Sequence, residues 1–134
     1  MNIVKSSTLA VVSEGDVVKV RQAVRAFAVE IKLSLVDQTK VVTAASELGR
    51  NLLIYGGGGE VFLEIIKEGM RQGLRVVFQD HGPGIPDIEL AMKDGYTSGN
   101  GMGLGLGGAK RLVGEFYLVS NPVEGTRITI IKWR

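Results

Sequence analysis

The chain contains no cysteine, which removes disulfides and thiolate metal sites and fits a reducing compartment, so a cytoplasmic location is expected. It has a single histidine, His81. Nothing in the sequence pairs that ring with a nucleophile or with further ligands, so it reads as a loop residue and not a catalyst. No apolar run approaches the roughly 20 residues that a membrane span needs. The opening "MNIVKSSTLAVVSEGD" lacks the charged start, long apolar stretch and small-residue cleavage pattern of a signal peptide. The basic residues are scattered and the net charge is only +2, which argues against a dedicated nucleic-acid binder. Neither nucleic acid nor membrane is an expected partner.

What remains is an ordinary soluble composition, 45% hydrophobic and 22% charged over 134 residues, a length that suits one domain with one sizeable core. A single domain over residues 1–134 is expected, with no internal repeat and no linker. The exception is glycine, present 19 times, about twice its usual share. The glycines gather at 56–59, 82–84 and 99–108, so they are positional rather than compositional.

Periodicity orders the rest. Residues 3–12 read as a strand. Val17, Val20, Val24, Phe27 and Ile31 recur at helical spacing, which predicts an amphipathic helix over 16–33. A second helix is expected from an Asp37 N-cap to about Leu53, with Val41, Val42, Ala45, Leu48 and Leu52 inward. "EVFLEIIKE" and "LRVVFQD" alternate like two strands of a hairpin joined at "GMRQG". Residues 81–100 form a long polar connection with a helical turn near Ile88 to Lys93, and a third helix follows from about Gly103 to Val113. "FYLVS" and "TRITIIKW" close the chain as strands around the turn "NPVEG". This order predicts an α/β (α+β) fold: a two-layer sandwich of a mixed, mostly antiparallel sheet with helices on one face.

Three constellations carry chemistry. In "GMGLGLGGAK", glycines lead into a helix N-terminus, the recurrent device for binding phosphate through converging N–H groups and the helix dipole. Gly103, Gly105 and Gly108 satisfy G-x-G-x-x-G, but no buried strand precedes them, which excludes the dinucleotide fingerprint. Lys110 is followed by Arg111, which excludes a Walker A loop. In "SELGRN", Glu47 and Asn51 share one helix face. They offer a base and a neutral oxygen ligand for a hard cation, although such a pair alone is ordinarily just a solvated face. In "QDHGPGIPD", Asp80 ends a strand and Gly82 and Gly84 flank Pro83. That arrangement suits an amino-bearing ring, although taken alone it is more often an ordinary Pro-Gly turn capped by Asp.

Taken together and in this order, "SELGRN", "DHGPG" and "GMGLGLGGAK" resemble the N, G1 and G2 boxes of the GHKL ATPase and kinase superfamily, with its Bergerat ATP-binding fold. The resemblance covers roughly residues 40–130, and "EGTRITI" is similar to that superfamily's closing strand. It implies ATP and Mg²⁺ as cofactors. Asp80 would accept from the adenine amino group, Gly82 and Gly84 would approach the base, and Thr126 would support the contact. Asn51 would ligate Mg²⁺ and Glu47 would be the general base. The backbone of Gly101, Met102, Gly103, Leu104 and Gly105 would cradle the phosphates, under a lid of residues 85–100. A second lysine-supplying domain and a phosphorylated-histidine segment are both missing. The chain is therefore most similar to the bacterial anti-sigma-factor serine/threonine kinases, of the stressosome switch type (RsbT type). That implies STAS-domain substrate proteins, a PP2C-type phosphatase as the switched partner, and a place in the general stress response. The alternative is a nucleotide-gated protein that sequesters a partner without catalysis, and the presence of Glu47 favours the kinase.

Overall fold

The computed structural model describes residues 1–92 and 105–134. Strand β1 (Asn2–Val11) leads into helices α1 (Glu14–Glu30) and α2 (Leu35–Ile54). The hairpin β2 (Gly59–Glu68) and β3 (Arg71–Asp80), the short α3 (Ile88–Ala91), α4 (Leu106–Leu112) and the hairpin β4 (Glu115–Asn121) and β5 (Gly125–Trp133) follow. The five strands form one sheet in the order β1-β2-β3-β5-β4, and each neighbouring pair is antiparallel. The element order expected from the sequence holds, and the sheet is antiparallel throughout these pairings.

Strand alternation sends one set of side chains toward the helices. Cross-strand register lines up Leu9, Val61, Phe78, Ile128 and Leu118 in one row, and Leu63, Val76, Ile130 and Phe116 in the next. Against these rows α1 sets Val17, Val20, Val24 and Phe27, and α2 sets Val41, Ala45, Leu48 and Leu52, all buried in one cluster. Val42 is only partly buried at its edge. Lys132 on β5 reaches Asp37 on α2 at 3.5 Å, tying the layers at one rim.

Helix starts follow hydroxyl caps. Ser13 caps α1 by accepting from the Asp16 N–H. The Asp16 carboxylate in turn accepts from Val12 N–H at 2.9 Å, the main reason its carboxyl titrates below the ordinary value. Ser34, not Asp37, caps α2: its Oγ accepts from Asp37 N–H at 3.1 Å. The expected cap was displaced because Ser34 precedes an extra helical turn that carries the exposed Leu35 and Val36, whose exposure hides that turn from hydrophobic periodicity.

The first hairpin is tighter than "GMRQG" suggests. Gly69 (φ +61°) and Met70 make the whole turn, and β3 already begins at Arg71. Gly73 sits inside the strand because the Trp133 ring lies over it: a Cβ there would stand 3.1 Å from the ring's Cδ2. On this outer face Arg71 stacks on the same ring at 4.3 Å. Glu115 accepts from both Trp133 Nε1 and Tyr117 OH.

Candidate nucleotide site

The apolar row on β3 continues Leu74, Val76, Phe78 and then, with the same two-residue step, Asp80. A carboxylate therefore closes a line of core side chains, 8% exposed. Burying a charge there requires compensating donors. Gly82 N–H and Thr126 N–H donate to its Oδ1 at 3.0 and 2.9 Å. Its Oδ2 accepts no hydrogen bond among the described residues.

Asp80 lines a pocket between the sheet and α2, together with Asn51, Gly84, Thr126, Tyr55 and Pro83. Leu48, Leu52, Phe78, Ile85, Leu106 and Ile128 give it apolar walls. Thr126 Oγ1 lies 2.8 Å from Ser120 Oγ, and Ser120 Oγ accepts from Ile85 N–H at 2.7 Å. A polar chain thus fixes the turn after "DHGPG" against β4. Gly84 has φ +81°, and a Cβ there would stand 2.7 Å from the Asn121 carbonyl oxygen. Only glycine fits that approach.

Of the residues singled out in the sequence, Asn51, Asp80, Gly84 and Thr126 line this one pocket, with Gly82 bonded to Asp80 beside it. Glu47 does not line it. Its carboxylate pairs with Arg50 at 3.5 Å and borders a groove between α1 and α2 with Arg21, Arg25, Thr43 and Ser46. It approaches the pocket's neighbourhood at Gly105, where a Cβ would stand 3.2 Å from Glu47 Cδ. Gly105 has φ +67° and is the N-cap residue of α4. The helix is shorter than expected, and Gly101, Met102, Gly103 and Leu104, like lid residues 93–100, lie outside the described residues. Within the described part of the lid, Asp87 caps α3 through Leu90 N–H at 3.0 Å. A Cβ on Gly108 would meet nothing within 4 Å among the described residues. Lys110 and Arg111 occupy the last turn of α4, where cations complement the helix dipole.

Sequence reasoning missed Tyr55, Ile85, Leu106 and Ser120. Tyr55 was within reach, because it follows Asn51 by four residues and so shares its face. Ser120 carried no signal, since its partner depends on how two hairpins meet.

The site fits an adenine nucleotide on its own terms. A pocket with apolar walls suits a flat ring, and a pinned carboxylate with one oxygen to spare suits an amino donor. A single neutral amide oxygen suits Mg²⁺, which keeps several waters and takes its other ligands from substrate phosphates.

Comparison with known proteins agrees. Residues 36–134 match the family model for histidine kinase-, DNA gyrase B-, and HSP90-like ATPases. Serine/threonine-protein kinase RsbT of Bacillus subtilis (strain 168) is 43% identical over 127 residues, 95% of this chain and 96% of that protein. Anti-sigma F factor of Clostridium novyi (strain NT) is 31% identical over 117 residues, 84% of this chain and 82% of that one. Among solved structures, the RsbU and RsbW domains of a Mycobacterium tuberculosis protein superpose with a TM-score of 0.63 at 19% identity over 97% of this chain. This chain spans only 33% of that one. A chain of the SiaB–SiaC complex from Pseudomonas aeruginosa gives 0.55 at 15% identity, covering 98% of this chain and 91% of its own. At such identities the structures speak for the fold. The chain belongs to the histidine kinase-, DNA gyrase B- and HSP90-like ATPase family, as a serine/threonine protein kinase of the anti-sigma-factor kind.

Proposed function

We propose that the protein transfers the γ-phosphoryl group of Mg-ATP to a serine or threonine of a small STAS-domain protein. We further propose that it exchanges that partner for a PP2C-type phosphatase, which it activates in a cytoplasmic stress response. The observation that supports the site is Asp80: a buried carboxylate with one oxygen held by two N–H groups and the other accepting no hydrogen bond among the described residues.

In this reading Asp80 binds the adenine amino group, and Gly82, Gly84 and Thr126 hold that carboxylate and the neighbouring backbone in place. Asn51, across the pocket on α2, holds Mg²⁺. When bound, Mg-ATP supplies the phosphoryl group and the metal charge that balances its oxygens. Glu47 orients the acceptor hydroxyl and takes its proton, and Arg50, 3.5 Å from Glu47 Oε1, helps to hold the carboxylate in place. Gly105 leaves room for it. The backbone of residues 101–105 meets the phosphates. Most of the catalysis here is positioning and electrostatics, which a site of this simplicity can supply.

The test is phosphotransfer from labelled Mg-ATP to a STAS protein encoded beside the gene. Wild type should label a serine or threonine. Glu47→Ala should bind nucleotide and transfer at least a hundredfold more slowly, the usual size of a general-base contribution, and Asn51→Ala should lose transfer with the metal. ATP binding by wild type with no transfer would instead support a nucleotide-gated sequestering protein.

A further inference from the structure

Where the end of α2 meets the end of β3, the bare Cα of Gly56 packs directly against the Asp80 side chain. Gly56 follows the C-terminal turn of α2, and its N–H donates to the Asn51 carbonyl oxygen at 3.2 Å. A Cβ built on Gly56 would stand 2.5 Å from Asp80 Cβ and 2.6 Å from its Cγ. From the other side, a Cβ on Gly82 would stand 3.0 Å from the Gly56 carbonyl oxygen and 3.2 Å from its Cα.

The nature of the obstructed atoms decides what an extra methyl would do. A clash with a carboxylate oxygen alone could be relieved by turning Asp80 about χ1. Rotation about χ1 leaves Cβ where it is, so a methyl at 56 forces the end of α2 and the end of β3 apart. Asp80 Oδ1 is already held by Gly82 N–H and Thr126 N–H from two further segments. The carboxylate cannot follow a shift of its own backbone without lengthening one of them. Gly56 has no positive φ, so backbone conformation does not require glycine there. The requirement is space against Asp80.

We infer that Gly56 is a positioning residue for base recognition. Its bare Cα sets the distance between the Asn51-bearing helix and the Asp80 carboxylate, and so aims Asp80 Oδ2 at the amino group of the purine. The inference rests on the adenine-site reading above and adds to it a determinant that touches neither base nor phosphate. It also explains why "YGGGGE" begins with its glycine immediately after Tyr55: the helix must end against Asp80 with no side chain.

The experiment compares ATP with purine riboside triphosphate, which lacks only the 6-amino group, by competitive displacement of a fluorescent nucleotide. Wild type should prefer ATP by about tenfold or more, the worth of a hydrogen bond to a charged acceptor. Gly56→Ala should bring that preference to within about twofold. Val24→Ala, which opens a cavity in α1 away from the pocket, should lower stability and leave the preference at its wild-type value. A structural role alone would weaken both nucleotides equally and keep their ratio. If Gly56→Ala does not fold, Gly82→Ala makes the milder push on the same contact and should lower the ratio part of the way. A wild-type ratio near one overturns the adenine-site reading itself. A wild-type preference for ATP that survives in Gly56→Ala, or in Gly82→Ala where that is the variant used, overturns only the role given to Gly56.

Discussion

Asp80→Asn separates what the carboxylate does for folding from what it does for nucleotide. Asparagine keeps one oxygen, which can still accept from Gly82 N–H and Thr126 N–H at their present 3.0 and 2.9 Å. Both bonds lose their charge assistance, worth about half their strength. Desolvating an amide costs less than desolvating an ion, which offsets much of that loss. The net effect on folding is about 1 kcal/mol, or some 3–5 °C in Tm for a chain of this size. Nucleotide binding fares worse. The amide NH₂ takes the place of Oδ2, so a donor faces the donor of adenine, and a hydrogen bond to a charged acceptor, about 1.5–3 kcal/mol, is lost. Affinity for ATP should fall about 10- to 100-fold. Isothermal titration with ATP and a thermal melt without ligand give the two numbers independently. ATP affinity within twofold of wild type would refute the argument. So would a loss of stability as large as the loss of binding energy, since Asp80 would then be a structural carboxylate.

Four further outcomes follow from the packing. Leu63→Ala, at a site with no exposure on the sheet's inner face, should cost about 2–5 kcal/mol, read from urea denaturation, and leave ATP affinity unchanged. Ser34→Ala should cost about 1 kcal/mol through loss of the α2 cap, and Asp37→Asn, which weakens only the ion pair to Lys132, less than that. Gly105→Ala combines a left-handed φ with a push on Glu47, so phosphotransfer should drop while the melting temperature moves by only a few degrees. Glu115 is held below its ordinary value of 4.5, first by the Tyr117 hydroxyl and then by the Trp133 indole. A depressed carboxyl contributes stability above its unfolded value and loses it as pH falls through the folded one. The gap in Tm between wild type and Glu115→Gln should therefore be full at neutral pH and close below about 4.5. Tyr117 is shifted upward by the same contact, so the contribution also fades as pH rises past 10.

Much of this fold is legible because the relevant signals are local. The five buried positions of α1 repeat at helical spacing, and the two closing strands alternate across a Pro-Gly turn. Asp80 is legible for a subtler reason: it continues the alternation of Leu74, Val76 and Phe78, so a carboxylate on that step must face the core side. The misjudged features depend on partners distant in sequence. Gly73 looks like turn material until Trp133, sixty residues later, is seen to need its bare Cα. Asp37 looks like a cap because it is the acidic residue nearest the first inward-facing valine, whereas the actual first turn is exposed. The pairing of Glu47 with Asn51 was right as helix geometry. Glu47, one turn before Asn51 on the same face of α2, borders the groove beside α1 and meets Gly105 at the start of α4 rather than lining the pocket itself.

Leu48, Leu52, Phe78, Leu106 and Ile128 belong both to the hydrophobic cluster and to the pocket wall. With nucleotide seated there, as proposed, the ligand closes the core as well as the site, so its supply and the protein's resistance to degradation are thermodynamically linked. At a nucleotide concentration a hundred times its dissociation constant, the native state gains about 2.7 kcal/mol. The fraction of chains open to proteases then falls about a hundredfold. A cell depleted of ATP would thus clear this kinase faster than one that is well supplied, with no dedicated degradation signal required.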